Sequence, residues 1–237
     1  PCVFEYIYFA RPDSLIKNKC AYEYRKSLGN ELAKETDVNA DLVVPVPDSG
    51  VPAALGYAEQ SKKQFELGLI RNHYVGRTFI EPTQNIRSLG VKLKLSSTKT
   101  IVKNKSIVLI DDSLVRGTTC HKIVKMLYES GAKEVHVRIA CPEIKYPDFY
   151  GVDMPTKDEL LANKKSDKEM CEYIQAKSLK FLSLDGLYKA LIGEKRQSNY
   201  PQFSDHYFTG DYAIKPHDNL KGIKIKQLSL LSTKSSN

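Results

Sequence analysis

Short apolar runs alternate with stretches of helical periodicity along this 237-residue chain. Residues 41–47 and 107–110 are almost continuously apolar, which is typical of strands buried on both faces of a parallel sheet. Residues 134–141 alternate between apolar and polar positions and predict another strand. Three further strands are predicted over residues 3–9, 65–70 and 181–184.

Apolar positions at helical spacing separate most of these runs and predict helices over residues 21–35, 51–58, 119–129 and 186–192. Thr156 and Ser166 fit helix N-caps, and Glu169 completes a capping box with Ser166. Gly131 and Gly193 lie where helices are expected to end. The order of elements predicts an α/β fold, a parallel sheet with helices on both faces and a ligand site at the carboxyl ends of the strands.

Residues 71–97 differ from the rest, because basic side chains mix with glycine and proline and no period is sustained. An irregular stretch of this length inside a domain indicates either a functional loop or disorder.

Composition places the chain among ordinary globular proteins, with 41% hydrophobic and 27% charged residues. No apolar run approaches the ~20 residues of a membrane span, and the N-terminus has no signal-peptide pattern. Because the chain starts on an apolar stretch without methionine, we expect a fragment or a processed product. The five cysteines are widely spread without a CxxC, which favours small core residues in a reducing, cytoplasmic setting.

The formal charge of +8 is compatible with nucleic acid or with a small polyanionic substrate. Residues 215–237 contain five lysines and one aspartate, a net +4 that is half of the total. This distribution indicates a solvated basic tail. The sequence contains no Cys/His finger spacing and no basic helix interleaved with aromatics, so we expect a small anion and no nucleic acid.

Residues 107–119 (IVLIDDSLVRGTT) are the most informative segment. Four apolar residues end at Asp111 and Asp112, and a helix is expected to begin at Thr118 or Thr119. The free N–H groups of a helix N-terminus suit a phosphate, and paired carboxylates suit a sugar diol or a magnesium ion. A capping aspartate beside a surface acid is the alternative, and the glycine and hydroxyls that follow weigh against it.

This segment resembles the phosphoribosyl pyrophosphate (PRPP) signature of the type I phosphoribosyltransferases. Residues 4–14 (FEYIYFARPDS), 71–80 (RNHYVGRTFI) and 149–155 (FYGVDMP) more narrowly resemble the glutamine PRPP amidotransferase family, the amidophosphoribosyltransferases. The resemblance covers about residues 1–212. It implies a type I phosphoribosyltransferase-like domain over 1–212 with a mobile lid over about 71–95, followed by a basic tail over 213–237.

The resemblance implies a role for each matched position. Asp111 and Asp112 would hold the ribose hydroxyls and the Mg²⁺ bound to PRPP, with Ser49 near the metal. The pyrophosphate loop would consist of Asp48, Ser49 and Gly50, and the lid would close through Tyr74, Arg77 and Gln84. The 5′-phosphate would be cradled by Ser113, Leu114, Val115, Arg116, Gly117, Thr118 and Thr119.

The implied reaction is displacement of pyrophosphate from PRPP by ammonia to give 5-phosphoribosylamine, the first committed step of purine synthesis. One alternative is a PRPP-binding regulator of the same fold without catalysis, but a tail of roughly 23 residues is too short for a nucleic-acid-reading module. The lid sequence around residues 74–79 also favours the enzyme. A second alternative is a decayed fragment, and the intact residues 111–118 argue against it.

Two family features are missing from this chain. The N-terminal glutaminase domain of the family is not among these 237 residues, so we expect this chain to use free ammonia and the domain to lie in an absent part of the gene product or in a separate chain. One branch of the family binds a [4Fe–4S] cluster through four cysteines. Cys2 occupies one of those positions, Asp148 occupies another and residues 199–210 contain no cysteine, so no cluster is expected. The resemblance also implies a homo-oligomer and nucleotide feedback.

Overall fold

A five-stranded sheet forms the centre of the computed structural model, which describes residues 1–73 and 95–214. The strands are β1 Leu15–Ile16, β2 Lys19–Cys20, β3 Leu42–Pro45, β4 Gln64–Phe65, β5 Leu69–Arg71, β6 Leu95–Ser97, β7 Ser106–Asp111, β8 Glu134–Ile139 and β9 Ser178–Phe181. The central sheet has the order β4-β3-β7-β8-β9, and all of its pairings are parallel. Two antiparallel pairs, β1–β2 and β5–β6, lie outside it.

The helices are α1 Ala21–Thr36, α2 Val51–Ser61, α3 Lys99–Val102, α4 Thr118–Glu129, α5 Leu161–Lys164, α6 Asp167–Ile174, α7 Leu184–Ile192 and α8 His206–Thr209, together with a π-helix at Glu5–Phe9 and a 3₁₀-helix at Lys157–Glu159. Helix α1 packs against α2 and α7, whereas α4 packs against α6. The predicted α/β architecture with helices on both faces of a parallel sheet is therefore confirmed. In the part of the chain that the structure describes, no helix is long and apolar enough to cross a membrane.

The apolar runs form β3 and β7, two adjacent interior strands of the sheet, and both are buried as predicted. Residues 107–110 of β7 are completely inaccessible to solvent, because β3 and β8 flank the strand and helices cover its faces. Register then decides where the site can form. Pro45, the last residue of β3, pairs with Ile110, and Asp111, the last residue of β7, pairs with Ile139 at the end of β8. The strands therefore end level with one another, and the turns after β3 and β7 leave the same edge of the sheet side by side.

Three strand predictions are wrong in part. Residues 3–9, predicted as a strand, contain the π-helix Glu5–Phe9. Buried Arg25 donates to the Tyr6 carbonyl in this helix and to the Ala10 carbonyl just after it. Residues 65–70 do not form one strand, because the chain turns at Glu66 and Gly68 between β4 and β5.

The last strand precedes its predicted position. It spans Ser178–Phe181, and α7 already begins at Leu184. The reason is a local hydrogen bond, since the Ser183 hydroxyl accepts from the Gly186 N–H and turns the chain into the helix. The predicted capping box at Ser166 and Glu169 is confirmed, whereas Thr156 precedes only the 3₁₀-helix and makes no side-chain cap.

Candidate active site

Two turns at the carboxyl edge of the sheet form the candidate site. The first turn, residues 46–50, joins β3 to α2, and the second, residues 112–117, joins β7 to α4. The Val46 N–H donates to the Ile110 carbonyl over 2.8 Å, which ties the first turn to the end of β7. The sequence predicted both turns, and the strand register explains why they meet.

A hydrogen bond between side chains joins the two turns directly. The Ser49 hydroxyl donates to Asp112 Oδ1 over 3.1 Å, although the two residues are 63 positions apart. The Ser113 hydroxyl lies 3.3 Å from the other carboxylate oxygen of Asp112. Of the three predicted metal ligands, Ser49 and Asp112 thus contact each other, and Asp111 lies beside them because its Oδ1 accepts from the Asp112 N–H over 2.9 Å.

Gly50 allows the first turn to approach β7 closely. A Cβ atom at this position would lie 2.5 Å from the Ile110 carbonyl oxygen and 2.9 Å from that of Val46. Any side chain would therefore force the turn away from the strand, so the close approach of this turn to β7 requires glycine.

Asp111 lies in an environment that disfavours its charge. Burial raises the pKa of its carboxyl well above the ordinary value, and the charge and hydrogen bonding of Asp112 raise it further. Within residues 1–73 and 95–214, no lysine or arginine forms an ion pair with Asp111 or Asp112. A diol or a cation would supply the missing partner.

Two cysteine thiols lie behind these carboxylates. Cys120 and Cys141 are buried, and desolvation together with the nearby Asp111 charge raises the pKa of each thiol. Both therefore remain protonated at neutral pH and act as small core residues, as the sequence predicted.

The second turn ends at the N-terminus of α4, which begins at Thr118 as predicted. Gly117 has a φ of +73°, a left-handed conformation that glycine adopts without strain. The N-cap residue Gly117 has no side chain that could cap this helix end, so the N–H groups of the first turn are suited to an anion.

The sequence assigned no individual role to two arginines that lie here, Arg25 and Arg71, although Arg71 begins the segment predicted as a lid. Arg71 Nη1 lies 2.8 Å from Asp48 Oδ2, which places a guanidinium beside the predicted pyrophosphate loop. Burial lowers the pKa of Arg25, while attraction to Asp112 opposes that change, so Arg25 adds positive potential beneath the site. The predicted lid residues Tyr74, Arg77 and Gln84 lie outside the described residues.

The positions that correspond to cluster cysteines have other partners here. Asp148 Oδ1 lies 2.8 Å from His206 Nε2, and the sulfur of Cys2 lies 3.4 Å from the Tyr207 hydroxyl. A single thiolate among these residues does not suit an iron–sulfur cluster.

Comparisons with known proteins agree with the geometry. A family model described as a phosphoribosyl transferase domain matches residues 21–149. The chain is 57% identical to an amidophosphoribosyltransferase of Rhizobium etli over 98% of its own length and 47% of the relative. It is 50% identical to amidophosphoribosyltransferase 1, chloroplastic, of Arabidopsis thaliana over 95% of its length and 38% of the relative.

A solved structure gives the same picture. The glutamine PRPP amidotransferase from B. subtilis, complexed with ADP and GMP, superposes with a TM-score of 0.83 at 48% identity, over 92% of this chain and 48% of that one. The chain thus spans about half the length of the R. etli relative and of this structural neighbour.

Proposed function

This chain belongs to the phosphoribosyl transferase domain family, and from that premise we propose that it is the phosphoribosyltransferase half of an amidophosphoribosyltransferase. The observation that carries the proposal is the meeting of two loops, with Ser49 on one bonded to Asp112 on the other beside an uncapped helix N-terminus. PRPP has a phosphate, a diol and a pyrophosphate, and this site offers a matching surface for each.

In the proposed reaction, ammonia nitrogen forms a bond to C1 of PRPP as the C1–O bond to pyrophosphate breaks. The electron pair of that bond leaves with pyrophosphate, and the nitrogen, which is cationic after the attack, releases one proton to water to give 5-phosphoribosylamine. Residues 113–119 hold the 5′-phosphate, while Asp111 and Asp112 accept hydrogen bonds from the ribose hydroxyls. The negative charge of Asp112 also favours the positive character that grows at C1.

The pyrophosphate side of the site uses residues 48–50. Arg71 beside Asp48 is placed to attract the leaving group. Tyr74, Arg77 and Gln84 remain predictions as the closing residues of a lid, which would exclude water that competes with ammonia.

Mg²⁺ fits the side chains that are present. Ser49, Asp111 and Asp112 offer oxygen ligands, which this ion prefers, and no lysine or arginine among the described residues forms an ion pair with either carboxylate. No group of three or more His, Cys, Asp or Glu side chains among the described residues could hold a metal alone, so PRPP oxygens would complete the coordination. When bound, the ion would neutralise charge on pyrophosphate.

Several further features are part of the proposal. We expect a glutaminase domain or subunit to supply ammonia, a homo-oligomer, a cytoplasmic location, and neither an iron–sulfur cluster nor nucleic acid as a partner. The relatives described above carry enzyme names and do not support the alternative of a PRPP-binding regulator without catalysis.

The test is pyrophosphate release by the purified chain with PRPP, MgCl₂ and NH₄Cl. We expect PRPP-dependent release with ammonium and none above background when glutamine replaces it. No release with ammonium from well-folded protein would refute the transferase activity. Release with glutamine would instead refute the expectation that the glutaminase activity lies elsewhere.

A further inference from the structure

Residues 157–174, which we call the cover segment, lie against the outer side of the phosphate loop. They comprise the 3₁₀-helix Lys157–Glu159 and helices α5 and α6. The segment follows residue 149, where the match to the phosphoribosyl transferase domain ends. Its contacts with the loop therefore come from outside the matched domain.

The cover segment holds the loop first through polar contacts. The Leu161 N–H donates to the Val115 carbonyl over 2.9 Å. Arg116 donates through Nε and Nη2 to one oxygen of Glu159, over 2.8 and 2.5 Å. Two consecutive residues of the phosphate loop are thus attached to residues 159 and 161 of the cover segment.

The second contact is close packing on Gly117. A Cβ atom on Gly117 would lie 2.6 Å from Leu161 Cδ2 and 3.1 Å from Tyr173 Cε1, so these two side chains press directly on its backbone. Leu161 is only 5% exposed. The Tyr173 ring also stacks on His121 in the first turns of α4, with ring centroids 5.9 Å apart.

These contacts act where the proposed ligand would bind. The loop contributes backbone N–H groups to a phosphate, so its usefulness depends on holding them in one arrangement. A loop that is ordered only on binding loses conformational entropy at that moment, and this loss weakens affinity. Contacts that order the loop beforehand remove part of that loss.

We propose that Glu159, Leu161 and Tyr173 are positioning residues that hold the 5′-phosphate loop in its binding arrangement before the ligand arrives. They set the affinity for the 5′-phosphate group and leave the chemical step unchanged. The inference rests on the proposed function, since it assigns the loop to the 5′-phosphate. Its alternative is that the cover segment stabilises the domain without affecting binding.

The test compares Leu161→Ala with Leu191→Ala. Leu191 is 6% exposed and lies in α7, which packs against α1. Leu191→Ala therefore removes a leucine as buried as Leu161 from a part of the protein away from the phosphate loop. We expect Leu161→Ala to raise the KM for PRPP about tenfold, with kcat and the ammonium KM within about twofold of wild type. Leu191→Ala should lower the melting temperature similarly and leave all three constants unchanged.

Calorimetric titration with ribose 5-phosphate measures the loop without catalysis. We expect its Kd to rise by about the same factor in Leu161→Ala. An inactive wild type that still binds ribose 5-phosphate would refute the proposed reaction and not the positioning role. An active wild type, with PRPP KM and ribose 5-phosphate Kd unchanged in Leu161→Ala, would overturn the positioning role.

Two milder variants keep the inference testable if Leu161→Ala fails to fold. Tyr173→Ala removes a half-exposed ring, and Glu159→Gln breaks the ion pair to Arg116. For Glu159→Gln we expect only a two- to threefold rise in the PRPP KM, roughly, because the pair is exposed. Glu129→Gln is its control, since the Lys125–Glu129 pair has similar exposure, 62% and 56% against 57% and 50%. Wild-type constants in both Tyr173→Ala and Glu159→Gln would overturn the inference.

Discussion

Two regions of this molecule remove carboxylates from solvent, and they differ in the hydrogen bonds that these carboxylates receive. Asp148 accepts hydrogen bonds from the backbone N–H groups of Tyr150 and Val152 and from His206 Nε2. Burial alone would raise the pKa of Asp148, but these hydrogen bonds outweigh it and hold the pKa below the ordinary value. At Asp111 nothing outweighs burial, and the pKa of that carboxyl is raised.

The difference separates a structural carboxylate from the pair that we propose to bind a ligand. Asp148 joins the loop around residue 150 to α8, because it also accepts from His206 in that helix. When His206 is neutral, its Nδ1 accepts a second hydrogen bond from the Ser204 hydroxyl. Burial lowers the pKa of His206, so it stays neutral at pH 7. Asp111 and Asp112 instead have no cationic partner among the described residues, so their carboxylate oxygens can still bind a ligand.

The largest expected effect is on stability at the structural carboxylate. Asp148→Ala leaves two backbone N–H groups and His206 without their acceptor inside the protein. We expect a loss of about 3–5 kcal/mol in the free energy of unfolding, measured by urea titration. Asp153→Asn, an exposed position in the same loop, is the control and should change little. Equal stability of Asp148→Ala and wild type would end the distinction between the two regions.

The next effect is on activity at the functional pair. Asp112→Asn keeps an oxygen that can accept from Ser49, so the fold should survive. We expect kcat/KM for PRPP to fall about 100-fold or more, because the charge facing the diol and the metal is lost. Pyrophosphate release measures it, with Asp153→Asn as the matched neutralisation of a remote carboxylate. A variant within threefold of wild type would remove Asp112 from the site.

The smallest effect is the pH dependence of stability at Asp111. Because the folded-state pKa is raised, the folded protein binds a proton that the unfolded chain gives up at about pH 4. Stability of the wild type should therefore fall as pH rises from about 4 through the raised pKa. The loss is about 1.4 kcal/mol for every unit by which the pKa is raised.

Asp111→Asn cannot titrate and provides the reference. In metal-free buffer it should become more stable than wild type as pH approaches 7, while its activity is reduced. Thermal unfolding between pH 4 and 8 measures the difference. Parallel curves for the two proteins would show that Asp111 is not held in its neutral form.

The sequence predicted the central strands and the principal helices, because each depends on consecutive residues. A continuous apolar run marks β7, and helical spacing marks α1 and α4. The predictions from the sequence are wrong where a contact with a distant residue determines the local structure. Arg25 binds the carbonyls of Tyr6 and Ala10, so the segment at residues 3–9 is not the strand that its local pattern predicted.

By itself, the sequence determined the strand, the two carboxylates and the glycine before α4, since their chemistry and conformational preferences are local. Only the tertiary structure decided that Ser49 meets Asp112, that Arg71 lies beside Asp48 and that Leu161 packs on Gly117. These contacts depend on strand order and on which segments cover the sheet edge. Both follow from burial summed over the whole chain, which no local pattern records.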